Sequence, residues 1–359
     1  MSADPAVALL GQARVLLADR RPHEAWAACA AVAEIARRRG DALLLADAAT
    51  ALRDLRFSPI VEQVHSLCLE ALALVADRDP VRAERLRAQR DATRSPWREA
   101  PIPAAAPDPE SRLLALQAAH RRHQDVSGID ARLGVAAEAL ALAEASGSAE
   151  CAAYGHLWRI EALGQQGRRI ELDGDLAGLR HAVAQLAQPV WEERLALVRA
   201  SLFLVEGRFD DCARQTAAVR GFLGLVMRSH LAVLSGEGLE GIEREVRAVL
   251  DGAPFFARGW HALLLLALDR HDEAAAIWRA ISPHVRDMPR EAPEWLVATA
   301  GHAELCVKLA DTATAAVVHS ELLPWASLQI IGAAETPYGG PVALALGRLD
   351  LLLGRTEAA

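Results

Sequence analysis

Three short stretches carry side chains whose types and spacing could do chemistry. In HRRHQD, His120 and His123 stand three apart on a helical pattern, with Asp125 just beyond. That spacing puts two imidazoles on one helix face, a pair that could hold a metal ion. The stretch has no HExxH form and no clear third ligand, and Arg121 and Arg122 oppose a cation, so it reads as a solvated helix face. In HAELC, His302 and Cys306 stand four apart with Glu304 between them. A cysteine nucleophile needs a lowered pKa and an oxyanion site as well as a neighbouring histidine. Nothing nearby supplies these, and Cys306 reads as a small core residue. In HLWRIE, Trp158, Arg159 and Glu161 follow His156. Trp and Arg are favoured binding anchors, so this trio could line a groove; the alternative is a packing tryptophan beside an inter-helix Arg–carboxylate pair.

Tryptophan is frequent for so few aromatics: eight, against two tyrosines and six phenylalanines. Most fall at helical spacing and read as core or groove lining. Trp97 and Trp325 differ, because Trp97 lies in a proline-rich stretch and Trp325 opens an irregular one, PWASLQIIGAAETPYGGP, residues 324–341. A loop of that length in a helical array is either functional or a packing device. Its ETPYGGP segment, with Tyr338 before paired glycines, could be a flexible lid or a plain helix–helix connection. The candidate binding residues are therefore Trp158, Arg159, Glu161, Trp325 and Tyr338. No catalytic residue, metal ligand or cofactor is expected: there is no GxGxxG, kinase set or GxSxG elbow.

The elements that must position these residues are helices. In WEERLALVRASLFLV, Trp191, Leu195, Val198, Leu202 and Val205 make one apolar stripe at spacings of three and four. Trp260, Leu264 and Leu268 do the same, followed by Ala274, Ile277 and Ile281 on the next helix. Turn-like signatures recur at Gly167, Gly207, Gly236, Asp269, Ala310 and Gly354, spaced 40, 29, 33, 41 and 44 residues apart, with an earlier candidate at Asp19. These intervals bracket the roughly 34-residue tetratricopeptide repeat. The expected fold is all-α, a tetratricopeptide-like α-solenoid of antiparallel helix pairs. Five prolines in residues 95–110 (SPWREAPIPAAAPDPE) cannot be helix interior. They divide an N-terminal helical block, 1–94, from a linker, 95–109, and a longer array, 110–359. At the end, GRTEAA reads as the opening of a second helix, so the preceding helix, about 341–353, is expected to carry an apolar face needing a cover.

Composition excludes several classes. With 52% apolar residues the chain can bury a large core, and a net charge of −8 is not that of a nucleic-acid module. Five scattered cysteines with no CxxC read as buried thiols in a reducing compartment. The N-terminal stretch has no secretory pattern, and no run approaches the roughly 18 apolar residues of a membrane span. The expected setting is cytoplasmic, without membrane or direct nucleic-acid contact.

The stretches LLALQAAHRRHQDVSGIDARLGVAAEALALAEASGSAECAAYGHLWRIEALGQQGR, SLFLVEGRFDDCARQ and DMPREAPEWLVATAGHAELCVKLADTATAAVVHSELLPWA carry a resemblance. Over about residues 40–355 the chain resembles the tetratricopeptide-like region of actinobacterial MalT-like or LuxR-type ATPase transcriptional regulators. In that family the repeats follow a nucleotide-binding module and precede a DNA-binding helix-turn-helix. This chain has no GxxxxGK[ST] loop, since Lys308 is its single lysine, and no basic helix follows GRTEAA. The resemblance thus implies the sensor or scaffold part alone. The expected function is a non-catalytic, regulatory binding module that takes a protein or peptide, or a small effector, in its concave groove. The alternative is a repeat scaffold recruited as a cofactor-independent biosynthetic enzyme. A third reading is a homodimer sealed through the C-terminal half repeat.

Overall fold

The computed structural model describes residues 4–19, 21–53, 55, 60–93, 108–250, 257–288, 290 and 292–355. Eighteen α-helices lie among them. There is no β-strand among the described residues, only one isolated antiparallel bridge between Gln329 and Pro341. The helices are α1 (Pro5–Ala18), α2 (Pro22–Arg39), α3 (Ala42–Ala49), α4 (Val61–Val75), α5 (Pro80–Ala92), α6 (Pro109–Arg122), α7 (Ile129–Ser146), α8 (Ala149–Gln165) and α9 (Arg169–Leu186). They continue with α10 (Pro189–Val205), α11 (Phe209–Thr216), α12 (Phe222–Ser235), α13 (Leu239–Val249), α14 (Ala257–Ala267), α15 (His271–Ile281), α16 (Trp295–Leu309), α17 (Thr312–Leu322) and α18 (Val342–Leu352). Within α1–α6 and within α11–α18 the helices pack mainly on their neighbours in sequence, the tandem pattern of an α-solenoid.

The chain forms two compact units. One comprises Met1–Gln124, Asp130–Trp158 and Ala177–Glu192; the other comprises Asp125–Ile129, Arg159–Leu176 and Glu193–Ala359. The division expected at the proline-rich stretch is not where the units part. Residues 94–107 lie outside the described residues, while α5 and α6, on either side of them, pack together in the first unit. Asp108 and Pro109, assigned above to the linker, instead open α6.

Three helix starts in the first unit share one device. Asp4, Asp79 and Asp108 each cap a helix with a side-chain oxygen, accepting from Ala6 N at 3.1 Å, Arg82 N at 3.0 Å and Ser111 N at 3.0 Å. In each case a proline follows at the first helical position, where its missing N–H costs nothing. Small residues such as Ala25, Ala33, Ala46 and Ala49 fill the core between α1 and α5. Arg37 on α2 donates to both oxygens of Glu70 on α4, at 2.7 and 2.6 Å. Arg82 on α5 reaches Asp47 on α3 at 2.8 Å.

In the second unit the turns fall where the sequence places them. Gly167, Gly207, Gly236, Asp269, Ala310 and Gly354 all have positive φ, from 55° to 76°. A left-handed residue ends a helix by returning its N–H to the last carbonyls, as Gly236 does to Ala232. Asp269 and Ala310 adopt the same conformation with a Cβ, at some local strain. Asp19 does not join the set: it ends α1 with φ −81°. The first helices of successive pairs, α12, α14, α16 and α18, stack on one another, while α13, α15 and α17 pack back as their partners. On α18, Val342, Leu346 and Leu349 are buried, but Leu344 and Leu351 remain 49% and 61% exposed. Residues 356–359, where a further helix was expected to open, lie outside the described residues.

One close approach is a test of this packing. A Cβ on Gly224 of α12 would lie 2.7 Å from the carbonyl oxygen of Val219. That oxygen also accepts from Arg228 Nη1 at 2.9 Å. Backbone cannot step aside as a side-chain tip can, so Gly224→Ala should destabilise the fold by about 1–3 kcal/mol, read as a lower urea midpoint.

Candidate functional site

The 324–341 stretch joins α17 to α18 as an ordered loop. Its two ends pair: Ile330 N donates to Gly340 O at 2.8 Å, Gly339 N to Ile330 O at 2.9 Å, and Val342 N to Leu328 O at 3.0 Å. At its tip, Thr336 Oγ1 accepts from Gly332 N and Ala333 N at 3.1 and 2.9 Å, closing a tight turn. Tyr338 Oη donates to Gln329 Oε1 at 2.7 Å, tying the two limbs together.

This ordered loop lies on the first helices of the second unit. Gln329 N donates to Gln165 O at 2.8 Å, taking up one of the carbonyls that the end of α8 leaves open. In return Gln165 Nε2 donates to Ile331 O at 2.7 Å. Ile331 also reaches Gly164, close enough that a Cβ there would lie 2.9 Å from its side chain. Arg194 Nε of α10 stands 3.9 Å from Glu335 Oε1. The imidazole of His230 on α12 hydrogen-bonds the backbone of Tyr338. A Cβ on Gly332 would lie 3.2 Å from Val297 of α16. Ile330, Ala333, Ala334 and Glu335 are all buried.

Electrostatics around the loop are those of a dry site. Burial pushes the His230 imidazole below its usual value, against the pull of its bond to Tyr338, and burial pushes the Tyr338 phenol up. Both effects favour neutral forms. Glu335 is buried as well, and its ion pair with Arg194 is longer than a hydrogen bond.

The five candidate residues do not form one group. Trp158 is buried in the first unit, stacked on His120 at 4.6 Å and 13°. Tyr154 extends the row at 5.4 Å and meets Trp191 edge-on at 4.8 Å. The solvated face expected at HRRHQD is therefore corrected: the indole covers His120, which is 2% exposed. Beside this row lies a cavity of about 30 Å³, lined by Leu55, Gln89, Gln117, His120, Tyr154 and Trp158 among others. Such a volume suits about one ordered water, far below the roughly 300 Å³ of a small-molecule site. Arg159 turns away from Trp158, one residue on, and its Nε meets both oxygens of buried Asp175 on α9 at 3.0 and 2.9 Å. Glu161 is buried. Trp325 is half-buried at the foot of the loop, packed against the α14–α18 core. Of the five, Trp325 and Tyr338 belong to the 324–341 stretch.

His302 and Cys306 do share a face of α16, and both are buried. Burial takes the His302 imidazole down to about 4 and the Cys306 thiol up to about 12. A neutral imidazole beside a neutral thiol is the opposite of the thiolate–imidazolium pair a nucleophile needs. All five cysteines are buried free thiols.

No family model and no curated protein matches the chain. No group of His, Cys, Asp or Glu among the described residues could hold a metal ion, and no described helix is long and apolar enough to cross a membrane.

Sequence reasoning missed two arrangements. One is Glu243 on α13, buried beside an open groove of about 560 Å³ that Arg244 and Arg270 also line. It accepts from Arg247 Nη2 at 2.6 Å and meets His261 Nε2 at 2.8 Å. Burial alone would raise its pKa, but these two partners outweigh it and the net shift is downward. The network clamps α13 to α14, and the i,i+4 spacing of Glu243 and Arg247 was its one sequence signal. The other is the set Gln165, Arg194 and His230, which meets the loop from three helices and has no local signature.

Proposed function

We propose that the chain is a non-catalytic helical-repeat binding module that takes a protein or peptide segment on the face formed by the first helices of its second unit. The observation that carries this is the loop itself. The face of α8, α10, α12 and α16 already holds a folded-back stretch of chain by one backbone hydrogen bond, one hydrogen bond from the Gln165 side chain, apolar burial and one carboxylate directed at an arginine. Peptide recognition uses these same elements, with main-chain bonds for affinity and side-chain pockets for specificity. A tetratricopeptide-like ancestry and a regulatory setting are our reading of the resemblance to the repeat arm of the ATPase regulators. The small cavity beside Trp158 and the neutral His302–Cys306 pair lend nothing to the enzyme alternative.

Selection of displayed peptides on the folded full chain tests this. A consensus should emerge whose binding, read by calorimetry, weakens on substitution of exposed residues of α10, α12 or α16 and is indifferent to substitutions in α1–α5. Absence of a consensus, or binding that follows α1–α5, overturns the proposal.

A further inference from the structure

α18 rests one side on α16 and α17, burying Val342, Leu346 and Leu349. Its opposite side is exposed. Leu344, Arg348 and Leu351 follow there at spacings of four and three, which puts them on a single stripe. Leu344 and Leu351 are 49% and 61% exposed, in a helix whose remaining leucines are buried or half-buried. Two leucines seven residues apart lie about 10 Å apart along the axis, the two-turn repeat with which one helix meets another.

Cations flank the stripe. On the α16 side, Arg348 Nη1 donates to Glu304 Oε2 at 2.8 Å, and Lys308 Nζ stands 3.5 Å from Glu304 Oε1. On the α17 side, Arg355 Nη1 stands 3.7 Å from Asp350 Oδ1, an oxygen that His319 Nε2 of α17 meets at 3.1 Å. Three permanent cations thus meet two carboxylates, and Asp350 is buried, so the charge this side turns to solvent is mainly positive. That is the exception in a chain of net charge −8. Neither arginine has to leave its partner in order to bind. Both are half-exposed, and each has committed at most one of the five N–H groups a guanidinium carries.

We infer that the outer side of α18 is a docking site for an acidic amphipathic helix of a partner protein, with its apolar residues along Leu344 and Leu351 and its carboxylates facing Arg348, Lys308 and Arg355. Such a helix continues the stacking by which α12, α14 and α16 each carry the next first helix. Every group it needs is already at the surface, and nothing in the fold has to move. Charge selects this occupant over a second copy of the chain, which would set the same three cations against these. A single helix buries less than a standard interface, so the expected Kd is on the order of tens of micromolar. The surface is separate from the face of α8, α10, α12 and α16, and either site stands without the other.

Two helical peptides of one Leu–Ala scaffold test this, the first flanked by Glu and the second by Lys, each titrated with the full chain and read by fluorescence anisotropy. The Glu peptide should bind at least about tenfold more tightly than the Lys peptide, and the difference should shrink at high salt. Leu351→Glu sets a like charge in the middle of the stripe. It should weaken the Glu peptide by about tenfold or more and leave the urea midpoint in place, because Leu351 stands mostly in water. Arg348→Gln combined with Arg355→Gln should weaken the Glu peptide about fivefold. Should that double variant loosen α18, Leu351→Glu decides alone, since it breaks no hydrogen bond or ion pair. Amide exchange in α18 should slow when the Glu peptide is added. No binding of either peptide, equal binding of both, or indifference to Leu351→Glu overturns the inference. A dimer by light scattering that Leu351→Glu turns into a monomer overturns it as well, because a second copy then holds the surface. The two binding sites separate by position: substitutions on α10, α12 or α16 that abolish binding of a selected peptide leave the Glu peptide's affinity for α18 unchanged, and Leu351→Glu does the reverse.

Discussion

Replacing His302 by leucine should reduce the acid sensitivity of the folded chain between pH 6.5 and 4. His302 is 5% exposed on α16, beside Trp278 at a ring separation of 5.6 Å, and neither of its ring nitrogens has a hydrogen-bond partner. Burial lowers its pKa from 6.5 to about 4. A lowered value in a histidine means that the fold prefers the neutral ring. Above pH 6.5 both folded and unfolded chains carry it neutral, and it contributes nothing to pH dependence. As pH falls through 6.5 the unfolded chain takes up the proton first, and stability drops until the folded ring also protonates near pH 4. The loss over that window is about 3 kcal/mol. Its ring neighbour Trp278 offers no compensating charge, and burial is the cause of the shift. His230, lowered in the same direction by burial, adds an acid limb of its own. Urea midpoints of the native chain and H302L between pH 4.5 and 7.5 decide the matter: both curves should fall with acid, the variant's less steeply, with His230 supplying the remaining slope. The variant should also gain about 1–3 kcal/mol at neutral pH, since two unsatisfied ring nitrogens leave the core. Parallel curves would assign the acid limb to another group.

The fold was legible where local chemistry decides it. Six of the seven turn signatures mark left-handed residues because a chain that must leave a helix and pack back has few ways to satisfy its last carbonyls. The same reasoning could have found α6: the Asp-Pro pair at 108–109 repeats the Asp4-Pro5 and Asp79-Pro80 helix starts, yet counted as a proline it looked like linker. What local pattern could not give is which faces meet. His120 looks solvated ahead of two arginines, and it becomes core because an indole 38 positions on lies flat against it. Arg159 and Trp158, adjacent in sequence, point about 100° apart around α8, so they could never have formed one anchor. The loop's length announced that it had a role. Its destination, set by Gln165, Arg194, His230 and Val297 across more than 130 residues, is written in no single stretch.

Trp158→Ala should be the most damaging single change in the first unit, at about 3–5 kcal/mol. The indole is 2% exposed and anchors the row that runs from His120 through Tyr154 to Trp191. Its removal opens a cavity next to the roughly 30 Å³ already present beside Gln117 and His120, and it strips an imidazole of its cover. Partial collapse is blocked because the lining helices α5 and α6 are fixed by caps and an ion pair at Asp79, Asp108 and Arg85. Trp158→Phe keeps a ring against His120 and should cost less, about 1–2 kcal/mol. The pair of variants also separates the two meanings a tryptophan at this position can have. If it is core, both variants shift the denaturation midpoint, and peptide binding to the face of α10, α12 and α16 is unchanged once measured on the folded fraction. If it is a groove anchor, W158A loses binding in proportion to ring contact while the folded fraction remains high. The burial of Trp158 and its two ring neighbours, His120 and Tyr154, lead us to expect the first result, and calorimetric titration of a selected peptide into each folded variant distinguishes them.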